Sequence, residues 1–209
     1  QPNGNSFEEY RDSLVEWVLH AKTIGFKAAK LEITLFGPYN HSGMKESDEK
    51  VTEVLAYCRK AVGNNFTLMV DVQYAWDSAE RALATTQEWK EFDVYFLETP
   101  LWIDDLEGYA RMHEESGIQI AAGEWQTTRY EFRDLMDTGK VDIAQPDIGR
   151  VGGLTEAMKV CDMAAARQRK IIPHCWKTGI SISASAHLAA ITPHCPFFEY
   201  LPAELTDSK

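Results

Sequence analysis

The sequence predicts an α/β fold, a (β/α)8-type TIM barrel that lacks its first strand and a capping domain. Two observations support this fold class. Short apolar runs alternate with amphipathic helical stretches, and six ionisable residues follow such runs at nearly constant intervals. The six residues are Asp71, Glu98, Glu124, Asp147, His174 and Glu199, separated by 27, 26, 23, 27 and 25 residues. A barrel gives this spacing when each strand presents one functional side chain at its carboxyl end, where such barrels carry active sites. The pattern therefore predicts an enzyme.

Each of the spaced residues follows a predicted strand, and one further strand is predicted nearer the start of the chain. Short apolar runs bounded by turn residues are typical of strands buried on both faces. The predicted strands span residues 26–33, 66–70, 94–97, 118–123, 141–146, 171–173 and 196–198.

Between the strands, apolar residues recur at helical spacing, as in Val51, Val54 and Leu55, which indicates amphipathic helices. Ser47 and Ser78 are predicted N-caps. The predicted C-terminal stops are Gly25, Gly63, Gly117 and Gly139. The predicted helices span residues 7–23, 47–62, 78–92, 106–115, 130–137, 155–167 and 181–190.

The predicted strands are one fewer than a complete barrel has, and the chain is shorter than the typical length of about 250 residues. We therefore expect residues 1–209 to form a single, partial barrel domain of a longer protein.

Composition narrows the class of protein. The chain is 44% hydrophobic and 25% charged, with a net charge of −11. It has no run long enough to span a bilayer and no signal peptide, so we expect neither a membrane nor a secreted location. The negative charge argues against nucleic acid as a partner. The four cysteines show no CxxC spacing, which favours reduced thiols and a cytoplasmic protein.

Three of the spaced acids, Asp71, Glu98 and Glu124, follow neighbouring strands. Their hard oxygen ligands would select Mg²⁺ over a soft transition metal. Each acid alone is more simply an ordinary solvated residue at the end of a strand. Three of them in this spacing favour a magnesium site.

Asp147 and His174 follow consecutive strands, so their side chains can meet. A carboxylate beside a histidine holds one tautomer and raises the basicity of the ring. The alternative is a structural histidine, which is common in a context such as Pro-His-Cys-Trp. The spacing favours a catalytic dyad.

Six short motifs surround the spaced residues. They are Val70-Asp71, Leu97-Glu98-Thr99-Pro100, Gly123-Glu124, Pro146-Asp147-Ile148-Gly149-Arg150-Val151-Gly152-Gly153, Pro173-His174 and Phe198-Glu199-Tyr200. Singly these motifs are weak, but in this order and spacing the chain resembles the mandelate racemase branch of the enolase superfamily. The resemblance is to the C-terminal barrel domain of the mandelate racemase/muconate lactonizing enzyme family, and it extends from about residue 26 to residue 202.

The resemblance implies that Asp71, Glu98 and Glu124 bind Mg²⁺ and that Asp147 and His174 form a general base dyad. It also implies a small carboxylate substrate such as a sugar acid, a homo-oligomer, and a separate capping domain that closes over the barrel.

Two further roles follow from the resemblance. Glu199 would hydrogen-bond the substrate carboxylate opposite the metal. Lys30 matches the first lysine of a Lys-x-Lys motif that neutralises this carboxylate. A proton on the carbon beside a carboxylate is weakly acidic. Its removal places negative charge on an enediolate, which a metal ion and hydrogen-bond donors must stabilise. Enolase-type sites pair a histidine or lysine base with Mg²⁺.

The sequence departs from the motif at Glu32, where the second lysine is expected. A racemase needs a base on each face of the carbon, so the loss of this lysine favours chemistry on the His174 face alone. We expect dehydration of a sugar acid to a 2-keto-3-deoxy acid. Two other roles remain open for Glu32: it could be an unusual second base, or it could bind a substrate hydroxyl. Two other functions also remain open for the protein: it could be a racemase or epimerase of a 2-hydroxy acid, or an inert barrel. Arg150 stands where a related branch has a catalytic lysine, and its basicity argues against the cycloisomerase branch.

Four other residues are weaker candidates. Trp125, Trp176 and Lys177 directly follow site residues. They either line the substrate pocket, with Trp176 as a substrate contact, or pack at the rim of the barrel. His41 lies in a long loop on the same face and is a further possible substrate contact.

Overall fold

The computed structural model describes residues 6–40, 42–176 and 178–201, so His41 and Lys177 lie outside the described residues. The chain divides into two compact units, one formed by Gln1–Trp102 and Arg111–Ile120 and the other by Ile103–Ala110 and Ala121–Lys209. The described residues contain six β-strands and seven α-helices. The strands belong to one sheet and follow chain order within it.

The first unit contains three complete parallel strands. β1 pairs with β2, and β2 with β3, such that Glu32 lies opposite Asp71 and Asp71 opposite Glu98. This register brings three acidic residues to the same level at the carboxyl ends of the strands. The complete elements are α1 (Phe7–Thr23), β1 (Ala28–Glu32), α2 (Asp48–Val62), β2 (Thr67–Asp71), α3 (Ala79–Thr86), a 3₁₀ helix (Gln87–Phe92) and β3 (Val94–Glu98).

The second unit repeats the alternation of strand and helix. Here Ala122 pairs with Ala144 in parallel register, and Ala144 with Ile171. Two elements, α4 (Leu106–Glu115) and β4 (Gln119–Ala122), contribute residues to both units. The others are α5 (Arg129–Asp137), β5 (Ile143–Ala144), α6 (Leu154–Ala166), β6 (Lys170–Ile171) and α7 (Gly179–Ile191).

The core of the first unit forms where the predicted helical stripe meets the strands. Val54, Leu55 and Cys58 of α2 are fully buried, as are Leu68 and Val70 of β2. Burial raises the pKa of the Cys58 thiol to about 12, because the thiolate would lose its hydration. Within the described ranges, no helix combines the length and the apolarity needed to cross a membrane.

The two predicted N-caps differ in the structure. The Ser78 side chain accepts a hydrogen bond from the backbone N–H of Arg81 and so caps α3. Ser47 directly precedes α2, but its side chain makes no capping hydrogen bond. Both serines are therefore N-cap residues, as predicted, although only Ser78 makes the capping hydrogen bond.

The strand predicted at residues 196–198 was wrong, since the structure has no strand there. Pro196 has no backbone N–H to donate to a ladder. The carbonyl of Phe197 accepts a hydrogen bond from the thiol of Cys195, 3.0 Å away. Glu199 consequently lies in an irregular segment that follows α7.

Candidate active site

A lysine and two buried acids meet in the first unit. Lys30, from β1, places its Nζ 2.9 and 2.8 Å from the two carboxylate oxygens of Glu98 at the end of β3. The same Nζ is 3.9 Å from Oδ2 of Asp71 at the end of β2. Glu98 is 0% exposed and Asp71 is 3% exposed. The two carboxylates are therefore close enough to share one cation.

The carboxylate of Asp71 is held on both oxygens. Its Oδ1 accepts hydrogen bonds from the backbone N–H of Gln73, at 2.9 Å, and from Oγ1 of Thr99, at 2.8 Å. Its Oδ2 accepts from Nε2 of Gln73 at 2.8 Å. Neither Gln73 nor Thr99 was predicted as a site residue. The signal in the sequence is their position one or two residues after strands that end in acids, and Thr99 also lies in the quoted motif Leu97-Glu98-Thr99-Pro100.

Glu32 lies beside Asp71 in the sheet and is half-buried. Its backbone carbonyl accepts a hydrogen bond from the hydroxyl of Tyr10, at 3.1 Å. The same hydroxyl accepts from the backbone N–H of Thr34, at 3.0 Å. Burial raises the pKa of Tyr10 to about 12, so this hydroxyl stays protonated and fixes the end of β1 from the side of α1.

A histidine lies between two carboxylates in the second unit. Nδ1 of His174 is 2.8 Å from Oδ2 of Asp147, and Nε2 of His174 is 3.2 Å from Oε2 of Glu124. Asp147 is itself oriented by the backbone N–H of Gly149, which donates to its Oδ1 at 2.7 Å. The structure thus brings Asp147 and His174 together, and it adds Glu124 on the other side of the ring. A neutral imidazole can donate to only one of the carboxylates, whereas an imidazolium can donate to both.

Arg150 fixes Glu124 from another direction. Its Nη1 donates to the carbonyl oxygen of Glu124 at 3.0 Å and lies 3.4 Å from the Oε2 atom of the same residue. The guanidinium lies over the ring of Trp125, 3.9 Å from its centroid. Trp125 therefore has a defined contact in the structure. Sequence reasoning used Arg150 only as an argument about reaction type and did not predict its contact with Glu124.

The last two candidates lie near His174 in sequence. Glu199 accepts a hydrogen bond from the backbone N–H of Cys175 through its Oε2. This bond ties the irregular segment after α7 to the residue that follows His174. Trp176 is 46% exposed.

The described residues contain no cluster of three or more histidine, cysteine or acidic side chains that could hold a metal ion. Each predicted ligand, taken singly, nevertheless has the chemistry of a Mg²⁺ ligand. Asp71, Glu98 and Glu124 are all buried carboxylates, and a buried carboxylate needs a cation or hydrogen-bond donors to offset its lost hydration. Hard oxygen ligands are those that Mg²⁺ prefers.

Comparison with known proteins identifies the family to which this chain belongs. Residues 13–208 match the family model described as "Enolase C-terminal domain-like". A D-galactarolactone cycloisomerase from Agrobacterium fabrum is 32% identical over 170 residues, which cover 81% of this chain and 42% of that protein. An L-talarate/galactarate dehydratase from Salmonella typhimurium is 30% identical over 189 residues, which cover 90% of this chain and 44% of that protein. The chain thus spans less than half the length of these curated relatives.

Solved structures show the same fold. The crystal structure of the Salmonella dehydratase matches with a TM-score of 0.79 and 30% identity over 91% of this chain and 44% of that chain. A racemase from Streptomyces coelicolor with bound magnesium matches with a TM-score of 0.80 and 26% identity over 91% of this chain and 49% of that chain. The predicted α/β barrel class and the resemblance drawn from the motifs are both confirmed. The chain belongs to the enolase C-terminal domain-like family.

Proposed function

We propose that the full-length protein removes the proton α to the carboxylate of a sugar acid and then eliminates water, giving a 2-keto-3-deoxy acid. The observation that carries this proposal is the position of His174 between Asp147 and Glu124, at 2.8 and 3.2 Å. The names of the relatives support the class of substrate, because they include a dehydratase and a cycloisomerase of sugar acids or their lactones.

His174 is the proposed general base. Asp147 accepts the hydrogen on Nδ1, which leaves Nε2 as the atom that takes the proton from carbon. Since Nε2 faces Glu124, the proton-accepting atom adjoins one of the proposed metal ligands. Asp147 therefore acts by fixing the tautomer and by stabilising the imidazolium that forms.

The carboxylates proposed to hold Mg²⁺ are Asp71, Glu98 and Glu124. When bound there, Mg²⁺ would supply positive charge to the substrate carboxylate as it becomes an enediolate. Lys30 is proposed to add a second cation for the same oxygens, and Glu199 to hydrogen-bond the carboxylate. Glu32, which replaces a lysine, is proposed to bind a substrate hydroxyl.

Elimination then balances without a further reactant. The electron pair of the broken C–H bond forms the C=C bond of an enol, while the bond from the β-carbon to its hydroxyl breaks. The His174 imidazolium returns its proton to that hydroxyl, which leaves as water. The enol becomes the 2-keto-3-deoxy acid by tautomerisation, in which the β-carbon takes a proton and the hydroxyl on the α-carbon loses one.

An isomerisation that begins with the same proton abstraction is the second candidate. The relative that is 32% identical is a cycloisomerase, although Arg150, which stands where a related branch has a catalytic lysine, is too basic to accept a proton. Racemases and epimerases return the proton to the same carbon and form no keto acid.

The test is a screen of the full-length protein with Mg²⁺ against aldonic and aldaric acids, with detection of keto acid. We expect turnover of at least one acid, loss of activity with EDTA, and loss of about 10³-fold or more in His174→Asn. The matched control is His187→Asn, because His187 is exposed on α7 and contacts the carbonyl of Ser183. In D₂O, deuterium at the α-carbon of recovered acid without keto acid would favour racemisation. No turnover across the library by a protein that binds Mg²⁺ would refute dehydration.

A further inference from the structure

Thr99 has a backbone conformation that both its side chain and its neighbour disfavour. Its φ is 45°, in the left-handed region, which is rare for a residue with a branched β-carbon. Pro100 further restricts the residue that precedes it. Thr99 is also fully buried. A conformation of this kind persists only where the surroundings impose it, and such residues cluster at functional sites.

The surroundings of Thr99 are a set of backbone hydrogen bonds beyond the ends of β2 and β3. The N–H of Tyr74 donates to the carbonyl of Thr99 at 2.7 Å, and the N–H of Trp76 donates to that of Pro100 at 3.2 Å. These bonds hold the two connecting segments side by side and fix the direction of the Thr99 side chain.

The hydroxyl of Thr99 is directed at Asp71. It donates to Oδ1 at 2.8 Å, and the backbone N–H of Gln73 donates to the same oxygen at 2.9 Å. Oδ2 accepts from the Gln73 side chain and lies 3.9 Å from Nζ of Lys30. With donors on both oxygens, the plane of the carboxylate is set, and Oδ2 is the oxygen on the side of Lys30.

We propose that Thr99 is a positioning residue that orients the Asp71 carboxylate for a divalent cation. This inference rests on the proposed function, because Asp71 is a proposed ligand of Mg²⁺. Thr99 contacts Asp71 and acts through it. The affinity for the cation should therefore depend on the Thr99 hydroxyl more than on the rest of its side chain.

The experiment measures the Kd for Mg²⁺ by calorimetry on the full-length protein and three variants. Thr99→Val removes the hydroxyl and keeps the branched shape, while Thr99→Ser keeps the hydroxyl. The matched control is Thr86→Val, since Thr86 is equally buried but its hydroxyl bonds the carbonyl of Ala82 within α3. We expect Thr99→Val to raise the Kd by about 10-fold or more, Thr99→Ser by less than about threefold, and Thr86→Val to leave it unchanged.

Equal affinity in Thr99→Val and the natural protein would overturn the proposal, as would a Thr99→Ser variant as weak as Thr99→Val. Should Thr99→Val not fold, as judged by circular dichroism, Thr99→Ala also lacks the hydroxyl and takes its place. A protein that binds Mg²⁺ but forms no keto acid would refute the proposed function alone. If the natural protein binds no Mg²⁺, crystal structures decide: a turned Asp71 carboxylate in Thr99→Val supports the positioning role, and an unmoved one refutes it.

Discussion

His174 depends on Asp147 for its tautomer, because the Asp147 carboxylate accepts from Nδ1 at 2.8 Å. In Asp147→Asn, the amide N–H₂ can donate to Nδ1 and so place the ring hydrogen on Nε2, the proposed proton acceptor. We expect kcat to fall by about 10²–10⁴-fold. Steady-state kinetics on the full-length protein provide the measurement. The control is Asp142→Asn, since Asp142 directly precedes β5, whereas Asp147 follows it, and pairs with Arg169. A kcat for Asp147→Asn close to that of the natural protein would contradict the assigned role.

The buried Cys58 thiol predicts a loss of stability at alkaline pH. Its pKa is raised to about 12 in the folded chain, against about 8.5 in an unfolded one. The stabilisation is therefore complete below pH 8.5 and declines as pH rises towards 12, since only the unfolded chain releases the proton in this range. By pH 10 this group should have lowered the free energy of unfolding by roughly 2 kcal/mol. Urea unfolding measures the free energy of unfolding at pH 8 and at pH 10. Between these two pH values it should fall less for Cys58→Ala than for the natural protein. Equal losses in the two proteins would contradict the burial of this thiol.

At the residue scale, the spacing predicted that the side chains of Asp147 and His174 can meet, because ends of parallel strands recur at a fixed interval along the chain, and the 2.8 Å contact confirms that they do. The functional roles of these residues and of the spaced acids stay predictions. The contacts that orient them were not predictable. Thr99 and Gln73 reach Asp71 only through backbone conformations with positive φ, which neither residue type favours. Arg150 lies in the quoted motif of residues 146–153, but the motif did not indicate that its side chain contacts Glu124.

At the scale of elements, Gly123 ends β4 and places Glu124. It has a φ of 134°, and a Cβ there would lie 2.6 Å from Cε1 of Phe132 and 3.0 Å from the backbone nitrogen of Gln145. Gly123→Ala should therefore lower the free energy of unfolding by about 3 kcal/mol and displace Glu124, which would weaken binding of Mg²⁺.

The control for this substitution is Gly117→Ala. Gly117 also has a positive φ, of 73°, but a Cβ there meets nothing within 4 Å. Gly117→Ala should therefore lower the free energy of unfolding only through backbone strain, by about 1 kcal/mol. Urea unfolding of the two variants measures the difference. Equal destabilisation would show that the contact with Phe132 does not matter.

Helices were predicted more accurately than strands. The predicted bounds of α1 and α4 match the structure, and α2 differs by one residue at its start. Apolar side chains that recur every three or four residues mark a helix over many turns, whereas β5 and β6 are only two residues long. A run as short as 196–198 gives too few positions to distinguish a strand from an irregular segment packed against the protein.

For the whole molecule, the order of the elements was predictable because each strand-helix unit repeats the same pattern, and the structure shows that order among the described residues. The substrate was not predictable in the same way. The chain covers 42–45% of the curated relatives, and these relatives differ in reaction while sharing the fold. Proton abstraction beside a carboxylate is the step that the proposed dehydration and isomerisation have in common.

The most direct test of that step follows deuterium placed on the α-carbon of an acid turned over by the full-length protein. With Mg²⁺, the account predicts that the label leaves the α-carbon in the natural protein, that the reaction shows a primary isotope effect, and that His174→Asn releases no label. Retention of the label in the product, or release by His174→Asn at the natural rate, would contradict abstraction of this proton by His174.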